Sequence, residues 1–206
     1  MLTIKPAKQK NYYKVFLDEE YIGCIPVSFL PAEYFVEPDT KFSDEFIQIL
    51  KDFVYKNAIN KLVWYLSKME KTVYDCKLFL KKHDFPEPII SEVIKEAENK
   101  NWLSNERYAT LYVEEAILTG RSPLEIKHKL LQKKIDVDTI NKALKEFYTD
   151  EKKDDVLENM IDSIIKRYSD KDTEKLFEKV ATALYRKGFQ YNDYEELLRK
   201  KILQIF

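Results

Sequence analysis

Three stretches of the chain repeat one pattern at intervals of about fifty residues, and this repeat constrains the fold more than any other feature. They are LFLKKHDFPEPIISEVI from Leu78, HKLLQKKIDVDTINKAL from His128 and TALYRKGFQYNDYEELL from Thr182. Aligned on Phe85, Ile135 and Phe189, each has a leucine five positions earlier (Leu80, Leu130, Leu184) and an aliphatic residue nine positions later (Ile94, Leu144, Leu198). Each anchor follows a basic pair, Lys81-Lys82, Lys133-Lys134 or Arg186-Lys187, and precedes a second amphipathic segment. Basic residues favour the negative end of a helix dipole. The pattern therefore predicts a short helix, a turn whose anchor drops between two helices, and a further helix with a polar start. A spacing near fifty suits a unit of three helices. Gly188 stands where a left-handed C-cap is wanted. Asp84 and Lys134 hold that place in the other two copies, at a conformational cost unless the turn is built differently.

The middle copy has the clearest start signal. Ser122-Pro123-Leu124-Glu125 reads as a capping box with proline at the first helical position, and Gly120 ends the helix before it. Three glycines in 206 residues fall well below the usual share of roughly 7%, which disfavours strands joined by tight turns. The first forty residues differ. Tyr12 to Asp18 and Tyr21 to Val27 are rich in β-branched and aromatic residues around an acidic turn at Glu19 and Glu20, and Leu2 to Lys5 is a candidate third strand. Pro26, Pro31 and Pro38 then mark an irregular bridge. From Ser43, a good N-cap, the period becomes helical, with Phe46, Ile47, Ile49, Leu50, Phe53 and Val54 as one apolar face. The expected fold is mainly α: a tandem array of three three-helix units, about nine helices, behind a small N-terminal β-hairpin or sheet. The expected segments are 1–42 (hairpin extension), 43–103 (leading helix and first repeat), 104–149 (second repeat) and 150–206 (third repeat).

With 35 basic and 36 acidic residues the net charge is −1, which gives no expectation of a strongly electrostatic partner. Cys24 and Cys76 are too few and too far apart for a secreted disulfide framework. No run of 18 apolar residues exists and the N-terminus lacks a signal-peptide core. The expectation is a cytoplasmic protein without membrane contact.

At the level of motifs the chain resembles the RecX regulatory family. TVYDCKLFLKKHDF (from Thr72) is similar to the family's S-x-x-E-L-x-x-K-L-x-x-K-G-F opening, NWLSNERYATLYV (from Asn101) to its G-x-L-D-D-x-R-F-A signature, and GRSPLEIKHKLLQKKID (from Gly120) to its G-x-x-x-I-x-x-E-L-x-x-K-G-I segment. The signature positions are Leu103, Arg107, Tyr108, Ala109, Gly120, Ile126 and Leu130. Asn101, Ser104 and Asn105 replace the usual glycine and two aspartates, Lys129 a glutamate and Cys76 a leucine. The resemblance implies a non-catalytic regulator that binds the RecA–single-stranded-DNA filament, meets the DNA directly or through the filament, and inhibits recombinase and ATPase activity in DNA repair and recombination. It also suits an elongated, curved array acting as a monomer.

Arg121, Lys127, Lys129, Lys133 and Lys134 against Glu125 give a local excess of four positive charges. They form a candidate partner-binding face; the plainer alternative is a solvated face of dipole-favoured lysines. Lys81, Lys82, Arg186 and Lys187 occupy related places and carry the same two readings. Arg107 either binds a partner or pairs within its unit. Trp64, Trp102, Tyr108 and Tyr112 fall at helical spacings beside leucines and read as core, with Trp102 sealing the junction of the first two units.

Nothing points to catalysis. Gly23, Gly120 and Gly188 are isolated, so neither standard phosphate loop is present. His83, His128, Cys24 and Cys76 lack metal-ligand spacing, so no metal or cofactor is expected. Adjacent carboxylates such as Glu114-Glu115 point about 100° apart on a helix. Two other readings stay open: a stand-alone nucleic-acid-binding helical module, and a helical scaffold for an unrelated protein. Residues 57–149 carry 16 basic against 14 acidic side chains, a weaker basic footprint than a free-standing DNA reader usually shows.

Overall fold

Helical periodicity from Ser43 onward becomes continuous helix in the computed structural model, which describes residues 2–7, 10–30, 43–168 and 173–205. Pro31 and Pro38 of the expected bridge lie outside these residues. The chain divides into two compact units, Met1–Ser104 and Asn105–Phe206.

The first unit opens with a three-stranded antiparallel sheet, β1 (Leu2–Pro6), β2 (Tyr12–Leu17) and β3 (Glu20–Pro26), in that spatial order. The candidate third strand is thus real. The hairpin turn sits one residue earlier than its sequence suggests: Asp18 and Glu19 take φ of 47° and 68°, and Glu20 already belongs to β3. Positive φ at both central residues matches the twist of the flanking strands. An isolated hairpin is marginal in water, and this sheet packs on α1 (Asp44–Leu66). Val15 and Ile25 are fully buried against the α1 stripe Leu50, Val54, Ala58 and Leu62. Gly23, at φ 143°, permits the approach, because a Cβ there would stand 2.6 Å from a Val54 methyl.

Ser43 caps α1 by accepting the Phe46 N–H at 3.2 Å. Ile49, expected on the apolar face, is 48% exposed; one residue from Leu50 is 100° around the helix. The same geometry corrects Trp64. It stands two residues past Leu62, on the far side from the buried stripe, and is 58% exposed with Lys68 Nζ 5.2 Å from its ring. Trp102 is also 39% exposed, and its neighbour Leu103 takes the buried place. Tyr108 and Tyr112 do pack, half-buried, against their core.

Two further helices, α2 (Val73–Lys82) and α3 (Glu87–Asn99), complete the core of the first unit. In the second unit α4 (Asn105–Leu118), α5 (Pro123–Gln132) and α6 (Val137–Phe147) share one core. A second core joins α7 (Asp150–Arg167), α8 (Thr173–Arg186) and α9 (Tyr191–Leu203). Among the described residues there are nine helices in three groups of three, as the repeat predicts. No described helix is long and apolar enough to cross a membrane.

The anchors behave alike in all three groups. Phe85, Ile135 and Phe189 are 7%, 2% and 1% exposed, and Leu80, Leu130 and Leu184 are fully buried. Each anchor N–H donates to the carbonyl of that leucine, at 3.3, 3.2 and 3.1 Å. The residue before it donates to the carbonyl three positions back, at 3.1, 2.9 and 2.9 Å. This pair of bonds satisfies carbonyls a helix end leaves open and requires a left-handed residue between. Asp84 and Lys134 supply it at φ 59°, as Gly188 does at 90°. The conformational cost is therefore accepted, and the turn is not rebuilt.

Leu130→Ala is expected to destabilise the second unit by about 2–5 kcal/mol; a loss near zero in urea denaturation would contradict the repeat register. Lys134→Gly, which relieves a left-handed non-glycine residue, is expected to raise stability by on the order of 1 kcal/mol in the same assay.

Candidate partner-binding face

Ser122 starts α5 and is one of two fully buried polar residues among those described; Thr72, thirteen positions before its own anchor, is the other. Ser122 Oγ accepts the Glu125 N–H at 3.1 Å and donates to the Lys187 carbonyl at 2.7 Å. That second bond ties α5 to the α8–α9 turn. Gly188 makes room for it, since a Cβ there would lie 2.8 Å from Ser122 Oγ. The capping box is only half formed, because the Glu125 carboxylate turns to Arg121 at 3.7 Å.

The nine candidate basic residues separate into two sets. Arg121 and Lys127 are used inside the fold. The Arg121 guanidinium donates to the Tyr112 hydroxyl and lies over its ring, while its carbonyl accepts the Tyr148 hydroxyl at 2.9 Å. Burial pushes that Tyr148 hydroxyl above the usual tyrosine range. Lys127 Nζ reaches Asn141 Oδ1 on α6 at 3.3 Å. The other seven gather at the end of the second helix of each group. Lys81 and Lys82 close α2, Lys129 lies in the last turn of α5 with Lys133 and Lys134 just beyond, and Arg186 ends α8 with Lys187 just beyond. All are exposed except half-buried Lys133.

Each basic end has an exposed apolar neighbour: Leu78 at 47%, Leu131 at 39% and Tyr185 at 68%. The sequence reading missed this border because it assigned helix leucines to the core. The available signal was that Leu131 and Tyr185 directly follow the buried Leu130 and Leu184, about 100° around the helix. A basic and apolar mixture is the composition of a contact surface more than of a merely solvated one.

The signature positions are mostly architectural. Ala109, Ile126 and Leu130 are fully buried, Leu103 nearly so, and Arg107 and Tyr108 half-buried. Gly120, at φ 71°, closes α4. Asn101 stands where the family pattern has glycine and takes φ 57° after α3, asparagine being the next most tolerant left-handed residue. Cys76, in the leucine position, is fully buried, and burial pushes its thiol up to about 12. It packs as a small apolar side chain. Among the described residues no three of His, Cys, Asp and Glu converge on a metal-binding position.

Residues 104–144 match the family model for the second three-helix domain of RecX. Regulatory protein RecX of Streptococcus pneumoniae (strain Hungary19A-6) is 29% identical over 196 residues, covering 94% of this chain and 74% of that protein. Its counterpart in strain CGSP14 is 28% identical over the same length. The chain thus carries a match to the second three-helix domain of RecX and is similar to regulatory protein RecX along most of its length. A crystal structure of RecX from Lactobacillus salivarius, 25% identical, superimposes with a TM-score of 0.68 over 72% of this chain and 97% of that one. A second crystal structure of regulatory protein RecX, 24% identical, shares the fold with a TM-score of 0.69, covering 97% of this chain and 100% of that one. Within the family match, α4 to α6 supply the best-defined part of the candidate face, because the buried Ser122, Ile126 and Leu130 fix α5 and so the place of Lys129 and Lys134.

Ser122→Ala removes a helix cap and the bond to the Lys187 carbonyl together. The expected loss is about 1–2 kcal/mol, with faster amide exchange in the α8–α9 turn. An unchanged melting curve would show that neither bond contributes.

Proposed function

We propose that this chain is a non-catalytic regulator that binds the RecA–single-stranded-DNA filament and inhibits its recombinase and ATPase activity. Its relatives are named regulatory protein RecX. The observation that carries the binding mode is an exposed basic end on the second helix of all three helix groups, each with an exposed apolar residue on the same helix. A filament presents the same surface again and again, and a chain with repeated equivalent contacts gains from multivalency without any single strong one. On this reading Lys81, Lys82, Lys129, Lys133, Lys134, Arg186 and Lys187 meet RecA's acidic surface or the filament DNA, whereas Arg121 and Lys127 hold the second group together. The segments 43–103, 104–149 and 150–206 are the proposed modules, 1–42 covers the first, and the protein acts as a monomer in the cytoplasm.

The test is RecA ATPase turnover on single-stranded DNA with the full chain added. Inhibition is expected, and a combined Lys82→Glu, Lys129→Glu and Lys134→Glu variant is expected to lose it at least severalfold while keeping its helical circular dichroism. No inhibition at any stoichiometry would overturn the reading, and inhibition untouched by the three reversals would remove this face from it. Equal binding to bare single strands without RecA would favour a stand-alone nucleic-acid module.

A further inference from the structure

A groove of about 480 Å³ in the second unit is bounded by α4, α7 and α8. Its floor is apolar, built from Ile117, Val156, Met160 and Ile164. At its lip stands Leu118, the last residue of α4, 88% exposed. Among the described residues two cations line it, Arg167 and Lys187, and no carboxylate does. Elsewhere in this unit Lys153 pairs with Asp150 and Asp193, and Lys201 with Glu158 and Asp162. Among the described residues neither Arg167 nor Lys187 has such a partner.

The placement of the two charges gives the groove a length. Arg167 ends α7 and Lys187 follows α8. Packed helices with so short a connection run antiparallel, so the cations stand towards opposite ends. The α7 residues that line the groove run from Val156 to Arg167, about 16 Å of helix axis. That is the span of about five residues in extended conformation. A volume of this size lies within the range of ligand-binding clefts.

We propose that this groove docks an extended acidic peptide segment of a partner protein, with aliphatic side chains on the Val156–Ile164 floor and a carboxylate at each end, on Arg167 and Lys187. The unmatched cations supply charge complementarity, which steers and orients more than it adds raw affinity. Burial of the peptide's aliphatic side chains, together with Leu118, supplies the rest. Nucleic acid fits less well. Among the described residues no aromatic ring lines the groove for bases to stack on, and the charges stand at its ends instead of tracking a backbone.

The test is fluorescence anisotropy with the full chain and a labelled seven-residue peptide, two glutamates at each end and leucine, isoleucine and leucine between. The same peptide with lysine ends and a twenty-nucleotide thymidine oligomer serve as parallel probes. The acidic peptide is expected to bind at low salt at least tenfold more tightly than the lysine-ended one. Leu118→Asp, and the pair Arg167→Glu with Lys187→Glu, are each expected to weaken it fivefold or more. The charge-reversed pair should instead prefer the lysine-ended peptide. All three positions are exposed, and an unchanged thermal melt confirms that folding is kept. No binding of the acidic peptide, equal binding of both peptides, insensitivity to charge reversal, or binding of the oligomer alone would overturn the proposal. No recombinase enters the assay, so its outcome is independent of the function proposed above.

Discussion

The regularity of the three helix groups depends on one backbone bond, from the anchor N–H to the carbonyl five residues earlier. It joins Phe85 to Leu80, Ile135 to Leu130 and Phe189 to Leu184, and in each pair it brings two buried apolar side chains to the same place on the core. The bond ends the second helix and sets the departure angle of the third. With that angle fixed, the third helix can return its own apolar stripe to the first two. The cost is a left-handed residue, which an L side chain occupies at roughly 1–2 kcal/mol. That two of the three copies accept this cost with Asp84 and Lys134 shows that the closure contributes more than it consumes.

The turn does more than end a helix. In the first and third copies a carbonyl of the turn accepts a hydroxyl from a neighbouring element within the same unit. The Asp84 carbonyl accepts from Tyr21 of the sheet, and the Lys187 carbonyl accepts from Ser122 of α5. In the first case Lys14 also approaches Asp84, at 3.8 Å; in the second, Gly188 keeps the contact close. Each such hydrogen bond contributes a modest net amount, and losing the Lys187 carbonyl would leave the buried Ser122 hydroxyl without its acceptor. The turns thus give the docked elements a definite register that apolar packing alone would not provide.

Much of this was legible in the sequence, for identifiable reasons. The anchors, their leucines and the Ser43 cap were readable because buried positions must recur with the helix period. The strands were readable because β-branched and aromatic residues cluster there. Asp84 and Lys134 were recognisable as holding the glycine position, though not as taking its conformation, because propensity states a cost and not what offsets it. Trp64 is misread because spacing from any nearby leucine looks helical, and only the phase relative to Leu50, Val54, Ala58 and Leu62 separates inside from outside; Trp102 is misread because it lies in the turn between α3 and α4, where a helical period has no phase to give. The candidate basic face was legible as charge, but its division was not. That Arg121 belongs to Tyr112 and Tyr148 while Lys129 and Lys134 point outward depends on helix-to-helix contacts that no local pattern encodes.

That division also explains how lysines at these helix ends serve two purposes. A cation in the last turn is favoured by the helix dipole at about 0.3–1 kcal/mol, so the fold alone accounts for basic residues at Lys82, Lys129 and Arg186. It does not account for the exposed Leu78, Leu131 and Tyr185 beside them, because an apolar side chain gains nothing from the dipole and stays in water at a cost. The basic ends are therefore available from the fold, and the apolar borders are what the proposed contact adds to them. With a net charge near zero over the whole chain, recognition has to come from such local mixtures of charge and apolar area instead of from long-range attraction.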